Sequence, residues 1–183
     1  EIYPLDHPDS DDFLRLVNKC RSLFKETGTC ILKGFVRQPT VERMATEADQ
    51  TIRQSHFCKD SHNVFFDKHD DSLPKDHPRR IRVDTSLNSI PYDRINQKHA
   101  LHQLYNWDSL MSFLSSVLGH RLYRMADPMA ALTVNCMSEN QNHGWHYDES
   151  QVTITLLIQK SLDGGLFQCV HDLRKNDFDD LSK

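Results

Sequence analysis

No stretch of this sequence approaches the roughly 20 consecutive apolar residues that cross a bilayer, and no charged-then-apolar leader opens it. A membrane span and a secretory signal are therefore not predicted. The five cysteines, Cys20, Cys30, Cys58, Cys136 and Cys169, stand singly. With no CxxC pair and an odd total, neither a disulfide framework nor a thiolate zinc site is expected, and a reducing compartment fits best. Positive charge is also in short supply: 22 Lys and Arg against 26 Asp and Glu give a net charge of -4, so nothing draws the whole chain to nucleic acid or an anionic membrane. Internal repeats and low-complexity tracts are missing too. These absences leave a soluble, cytoplasmic protein suited to a small-molecule substrate. Its 183 residues, 38% of them hydrophobic, are enough to bury one domain's core.

Phe13, Leu16, Val17, Cys20, Leu23 and Phe24 recur at helical spacing between capping candidates Asp9 and Ser10 and a stop at Gly28, which predicts an amphipathic helix. TCILKGFV (29–36) has strand composition, and Pro39 opens a second helical pattern through Val41, Met44, Ala45, Ala48 and Ile52. Residues 58–100 scatter His62, His69, His77 and His99 among charged residues and prolines, which predicts a long loop that is either a lid or mobile. The Arg79, Arg80, Arg82 cluster within it reads as a solvated surface. A third helical pattern runs from Leu101 to Leu118, with a break near Asn106-Trp107 and a stop at Gly119.

Beyond residue 120 the period changes. LYRMA (122–126), AALTVNCM (130–137), QVTITLLIQK (151–160) and GLFQCV (165–170) read as strands separated by turns. Helices followed by antiparallel strands make the fold class α+β. Val152, Ile154, Leu156 and Ile158 share one strand face against Thr153 and Thr155, and Leu132, Val134 and Cys136 likewise oppose Thr133 and Asn135. A sheet with one solvated side and a barrel with a polar lumen both account for this.

GWHYDES (144–150) places His146 and Asp148 two residues apart, which on a strand sets both side chains on one face. An imidazole nitrogen and a carboxylate oxygen so placed suit adjacent positions on one metal ion, and a second histidine would complete the facial triad of non-haem Fe(II) oxygenases. By itself H-x-D is common among 11 histidines. His143 is a competing ligand, and His69/Asp71 and His171/Asp172 form similar pairs with no comparable strand after them.

GWHYDESQVTITLLIQ followed by DGGLFQCVHDLR resembles the core of the Fe(II)/2-oxoglutarate-dependent oxygenases, in the branch that hydroxylates or halogenates free amino acids. The resemblance extends through YRMADPMAALTVNCM, HNVFF, DHPRR and GTCILKGFV, and so covers most of the chain. It implies a double-stranded β-helix, or jelly roll, with flanking N-terminal helices. Residues 1–183 would form a single domain, 1–120 helical with the 58–100 loop and 121–183 the first part of the β-core, incomplete at the C-terminus. It makes His146 and Asp148 the first two iron ligands, places Asn135 near the cosubstrate, and implies Fe(II) and 2-oxoglutarate as cofactor and cosubstrate. Halogenases of this kind carry a small residue where Asp148 stands, so hydroxylation of a small polar substrate, such as an amino acid, is implied.

One departure bears on activity. The family's second ligand histidine and its cosubstrate arginine lie well beyond the GG-x-F run, past the end of this sequence. His171 stands where relatives carry no ligand, and Arg174 matches a structural arginine. The rival expectations are a truncated or non-catalytic oxygenase-like domain acting as a binding module, and a cupin-type metal protein using His143, His146 and Asp148.

Overall fold

The computed structural model describes residues 3–68, 70–148, 150 and 152–170. Within them the fold is α+β, with four α-helices and a three-stranded antiparallel sheet. The chain divides into two compact units, one drawing its described residues from the stretches 1–38, 104–124 and 164–183, the other from 39–103 and 125–163.

The first unit is built on two helices. α1 (Asp11–Thr27) starts at Ser10, whose hydroxyl accepts the Phe13 N–H at 3.2 Å. It carries Asp11 and Asp12 in the first turn, where the helix dipole favours negative charge. It ends at Gly28, whose φ of 68° returns its N–H to Phe24 O, a conformation that a Cβ disfavours. α4 (Asp108–Leu118) ends in the same way at Gly119. Phe13, Val17 and Cys20 of α1 are buried with Phe113 and Val117 of α4 and with Leu5. The Phe13 and Phe113 rings meet edge-on at 6.1 Å, a favoured aromatic geometry. Arg21 donates to Ser116 O and Val117 O, so a cation sits at the C-terminal carbonyls of α4. Burial, followed by the neighbouring Cys30, pushes the Cys20 thiol up to about 12, so it stays neutral and behaves as a small apolar side chain. The expected strand at 29–36 is not formed; the segment turns, with Cys30, Leu32 and Phe35 packed against the helical core.

The second unit holds the sheet. α2 (Gln38–Thr51) buries Met44, and its Glu47 accepts the Ala100 N–H at 2.7 Å, capping α3 (Ala100–Tyr105). Residues 106–107 separate α3 from α4, where the sequence predicts a break. β1 (His56–His62) and β2 (Val83–Ile90) pair along seven residues, from His56 opposite Ser89 to His62 opposite Val83. β3 (Val134–Cys136) pairs with the far end of β2, Asn135 opposite Ser89. Residues 58–100 are thus not one long loop. Their strands are polar in sequence, and the backbone ladder, not an apolar stripe, defines them.

Of the four strands expected after residue 120, only the core of 130–137 forms, as β3. Residues 122–126 and the described parts of 151–160 and 165–170 make no strand. A β-pattern becomes a strand only when another backbone presents its N–H and C=O groups. No described strand pairs with these segments, and Ile154, Leu157, Leu166 and Phe167 stay exposed.

Candidate metal centre

The site begins on the β1–β2 ladder. His62 and Thr85 lie on the same face, and the His62 Nε2 is 2.9 Å from the Thr85 Oγ1. On the other side of the ring Nδ1 lies 2.9 Å from Asn63 O. A carbonyl oxygen only accepts, so Nδ1 carries the hydrogen, and in the neutral ring Nε2 accepts from the Thr85 hydroxyl. The Thr85 oxygen is then free to accept a further hydrogen bond, and the Gly144 N–H supplies it at 2.9 Å.

Asn63, fully buried, anchors the loop that follows β1. Its amide donates to Asp67 O and Arg79 O at 3.1 and 2.8 Å, and its carbonyl accepts from the backbone N–H of Phe65 and Asp67 at 3.0 and 3.1 Å. All four hydrogen-bonding positions of the side chain are used. The turn places Phe66 at a φ of 57°, uncommon for a bulky residue, with its ring stacked on His62 at 4.4 Å and tilted over His146 at 5.7 Å. Arg79 pairs with Asp67 and lies over the Phe65 ring, and Arg80 holds Leu73 O and Asp71. Two of the three arginines read as solvated surface thus brace the loop.

Against this frame runs the GWHYD segment. Asn142 exchanges two backbone hydrogen bonds with Ser86, at 2.8 and 3.0 Å, and its side chain donates to Asp84 O at 2.8 Å. Gly144 passes so close to β2 that an added Cβ would stand 2.9 Å from Asp84 O and 3.0 Å from a Val83 methyl, so only glycine fits. The Tyr147 N–H donates to Val64 O at 2.9 Å, and the Tyr147 ring packs on Phe65 at 5.0 Å. Trp145 is exposed.

His146 and Asp148 are brought together without a strand beneath them. The Nε2 of His146 lies 3.3 Å from the Asp148 Oδ1, while its Nδ1 is 2.8 Å from Gly144 O and must donate to it. In the neutral ring Nε2 is therefore a bare lone pair facing a carboxylate. Two electron-rich atoms at that distance repel unless a proton or a metal ion sits with them. Imidazole nitrogen and carboxylate oxygen suit a first-row divalent ion such as Fe(II). His143 stacks on His146 at 4.2 Å; lost hydration, followed by the His146 and His62 imidazoles, lowers its pKa, with Asp148 acting in the opposite sense.

Asn135 is exposed on β3, on the same sheet face as His62 and Thr85. His171 and Arg174 lie outside the described residues. Among the described residues no three His, Cys, Asp or Glu side chains are grouped to hold a metal ion. The sequence reading passed over His62, Asn63, Thr85 and Gly144 as site residues. The one signal bearing on Thr85 is weak: Val83, Thr85 and Leu87 alternate in VDTSLNSI, but two apolar residues about a hydroxyl do not announce a strand.

No helix of the described residues is long and apolar enough to cross a membrane. No curated protein matches the sequence. The family model described as Halogenase D matches residues 14–180, a span that takes in both the helical core and the GWHYD segment. The chain therefore belongs to the Halogenase D family.

Proposed function

We propose that the protein is a non-haem Fe(II)/2-oxoglutarate-dependent dioxygenase that hydroxylates a small polar substrate, such as a free amino acid. Its 1–183 span would be one oxygenase-like domain whose β-rich part belongs to a jelly roll. Membership of a halogenase family supports an oxidative enzyme. The observation that carries the metal reading is the His146 Nε2 set 3.3 Å from the Asp148 Oδ1 while Nδ1 is committed to Gly144 O, so that in the neutral ring Nε2 has no hydrogen.

In this reading His146 and Asp148 would be the residues that hold the iron, and Asn135 would lie on the cosubstrate side of the sheet. Bound Fe(II) with 2-oxoglutarate would supply the oxidation of a substrate C–H bond by dioxygen. The chain's own part is to orient the imidazole, to present the carboxylate, and to wall the site with Phe66. A carboxylate at position 148 would favour hydroxylation over halogenation, because as an iron ligand it would leave no place there for a halide.

Anaerobic addition of Fe(II) and then 2-oxoglutarate tests this. A metal-to-ligand charge-transfer band is expected, abolished by His146→Ala together with a loss of Fe(II) affinity larger than the roughly 10–100-fold that losing a residue behind a ligand costs. A folded protein that develops no band would overturn the enzyme reading. It would favour instead a non-catalytic binding module, to which the lack of a third grouped ligand among the described residues points.

A further inference from the structure

We infer that Thr85 of β2, which accepts the Gly144 N–H, is a positioning residue that holds His146 in the tautomer with hydrogen on Nδ1. The tautomer follows from the hydrogen bonds alone; its purpose, keeping Nε2 bare for a divalent cation, rests on the function proposed above.

The chain of contacts runs His62 to Thr85 to Gly144 to His146, at 2.9, 2.9 and 2.8 Å. A backbone carbonyl that can only accept stands at each end of it, Asn63 O beside His62 Nδ1 and Gly144 O beside His146 Nδ1. With neutral rings these two acceptors fix every hydrogen between them. His62 donates to Asn63 O, Thr85 donates to His62, Gly144 donates to Thr85, and His146 donates to Gly144 O. Thr85 is the link on which the rest depends, because its oxygen is the acceptor for the buried Gly144 N–H, and the tight approach of the Gly144 Cα to β2 leaves little freedom for the following peptide, which carries Gly144 O, to turn.

Removing the hydroxyl has a directed consequence. The Gly144 N–H would be buried without an acceptor, a state that a short surface segment relieves by drawing away from β2 toward water. Gly144 O then leaves Nδ1, and the remaining partner of the ring is the Asp148 carboxylate beside Nε2. That acceptor favours hydrogen on Nε2, the tautomer that cannot bind a metal through this atom.

The test is the nitrogen chemical shifts of the His146 ring in the full, metal-free chain at a pH where the ring is neutral, assigned by their loss in His146→Ala, with Co(II) affinity measured alongside. The expected result is hydrogen on Nδ1 in the wild type and on Nε2 in Thr85→Val. Co(II) binding should weaken about 10–100-fold in Thr85→Val, as for other residues that orient a ligand. Thr85→Ser should restore both readouts, which general loosening of the fold would not produce. Hydrogen on Nε2 in the wild type, or a folded Thr85→Val with unchanged tautomer, overturns the inference. A tautomer shift in a protein that binds no Co(II) upholds the positioning role and refutes the metal reading instead. If Thr85→Val does not fold, Thr85→Ala answers the same question, since it removes the hydroxyl without putting a methyl in its place, and an unchanged His146 tautomer there also overturns the inference.

Discussion

Between Asn142 and Tyr147 the backbone has no strand beyond a single bridge to Ser86, yet it is tied to β2 and to Val64 by backbone and side-chain hydrogen bonds. Shortly after it, residues 152–163 carry alternating Val, Ile, Leu and Thr and have the stronger β-propensity of the two, but Ile154, Leu157 and Leu162 are exposed. The contrast shows that order here follows available partners and not propensity. Ser86, Thr85 and Val64 offer acceptors and donors at the right places, so a segment with poor strand character is fixed. Where no described strand presents such groups, good strand character does not suffice.

The sharpest way to break the ordered side is at Asn63. Replacing it with Ala removes both acceptor and donor functions from a fully buried position, leaving the Phe65 and Asp67 N–H groups and two carbonyls without their partner. Water recovers part of that loss at the loop edge. A destabilisation of about 3 kcal/mol is expected in urea unfolding, against the 1–3 kcal/mol typical of one orphaned buried group. A value near zero would show that the loop does not depend on this side chain.

Gly144→Ala is expected to cost somewhat less, about 2 kcal/mol, the range for forcing an extra methyl into a packed place. The neighbours are the Asp84 carbonyl and a Val83 methyl, and the backbone is not free to yield. The substitution also pushes Gly144 O away from His146, so Co(II) affinity should fall with stability. Loss of stability with unchanged affinity would separate the fold of the segment from the geometry of the proposed ligands.

Much of the helical unit was legible in the sequence because its signals are local. Ser10 and Gly28 bound α1, Gly119 stops α4, and the break at Asn106-Trp107 separates α3 from α4. The sheet was not, because HFCKDSH and VDTSLNSI owe their pairing to each other across a long connection, and neither shows an apolar stripe strong enough to announce a strand. His146 and Asp148 were legible as a pair from their spacing, and the structure sets them 3.3 Å apart. The frame behind them was not, since His62 meets the Thr85 hydroxyl and Thr85 meets the Gly144 N–H only when residues 23 and 59 positions apart are brought together, and Asn63 acts through backbone groups of its own loop that carry no side-chain signal.

The smallest effect is expected on the exposed side of the comparison. Leu157 has 70% of its surface open, so Leu157→Ser removes little buried area and leaves no cavity. Substitutions at such positions usually stay within about 0.5 kcal/mol, and the urea midpoint should hardly move. The same change at a paired, half-buried strand position costs several times more, because apolar area and cross-strand contacts are lost together. The outcome therefore reports whether residues 152–163 are covered in solution. A loss as large as that expected for Gly144→Ala would mean that the β-pattern of this segment has found a partner, and that the distinction drawn from exposed Ile154, Leu157 and Leu162 fails.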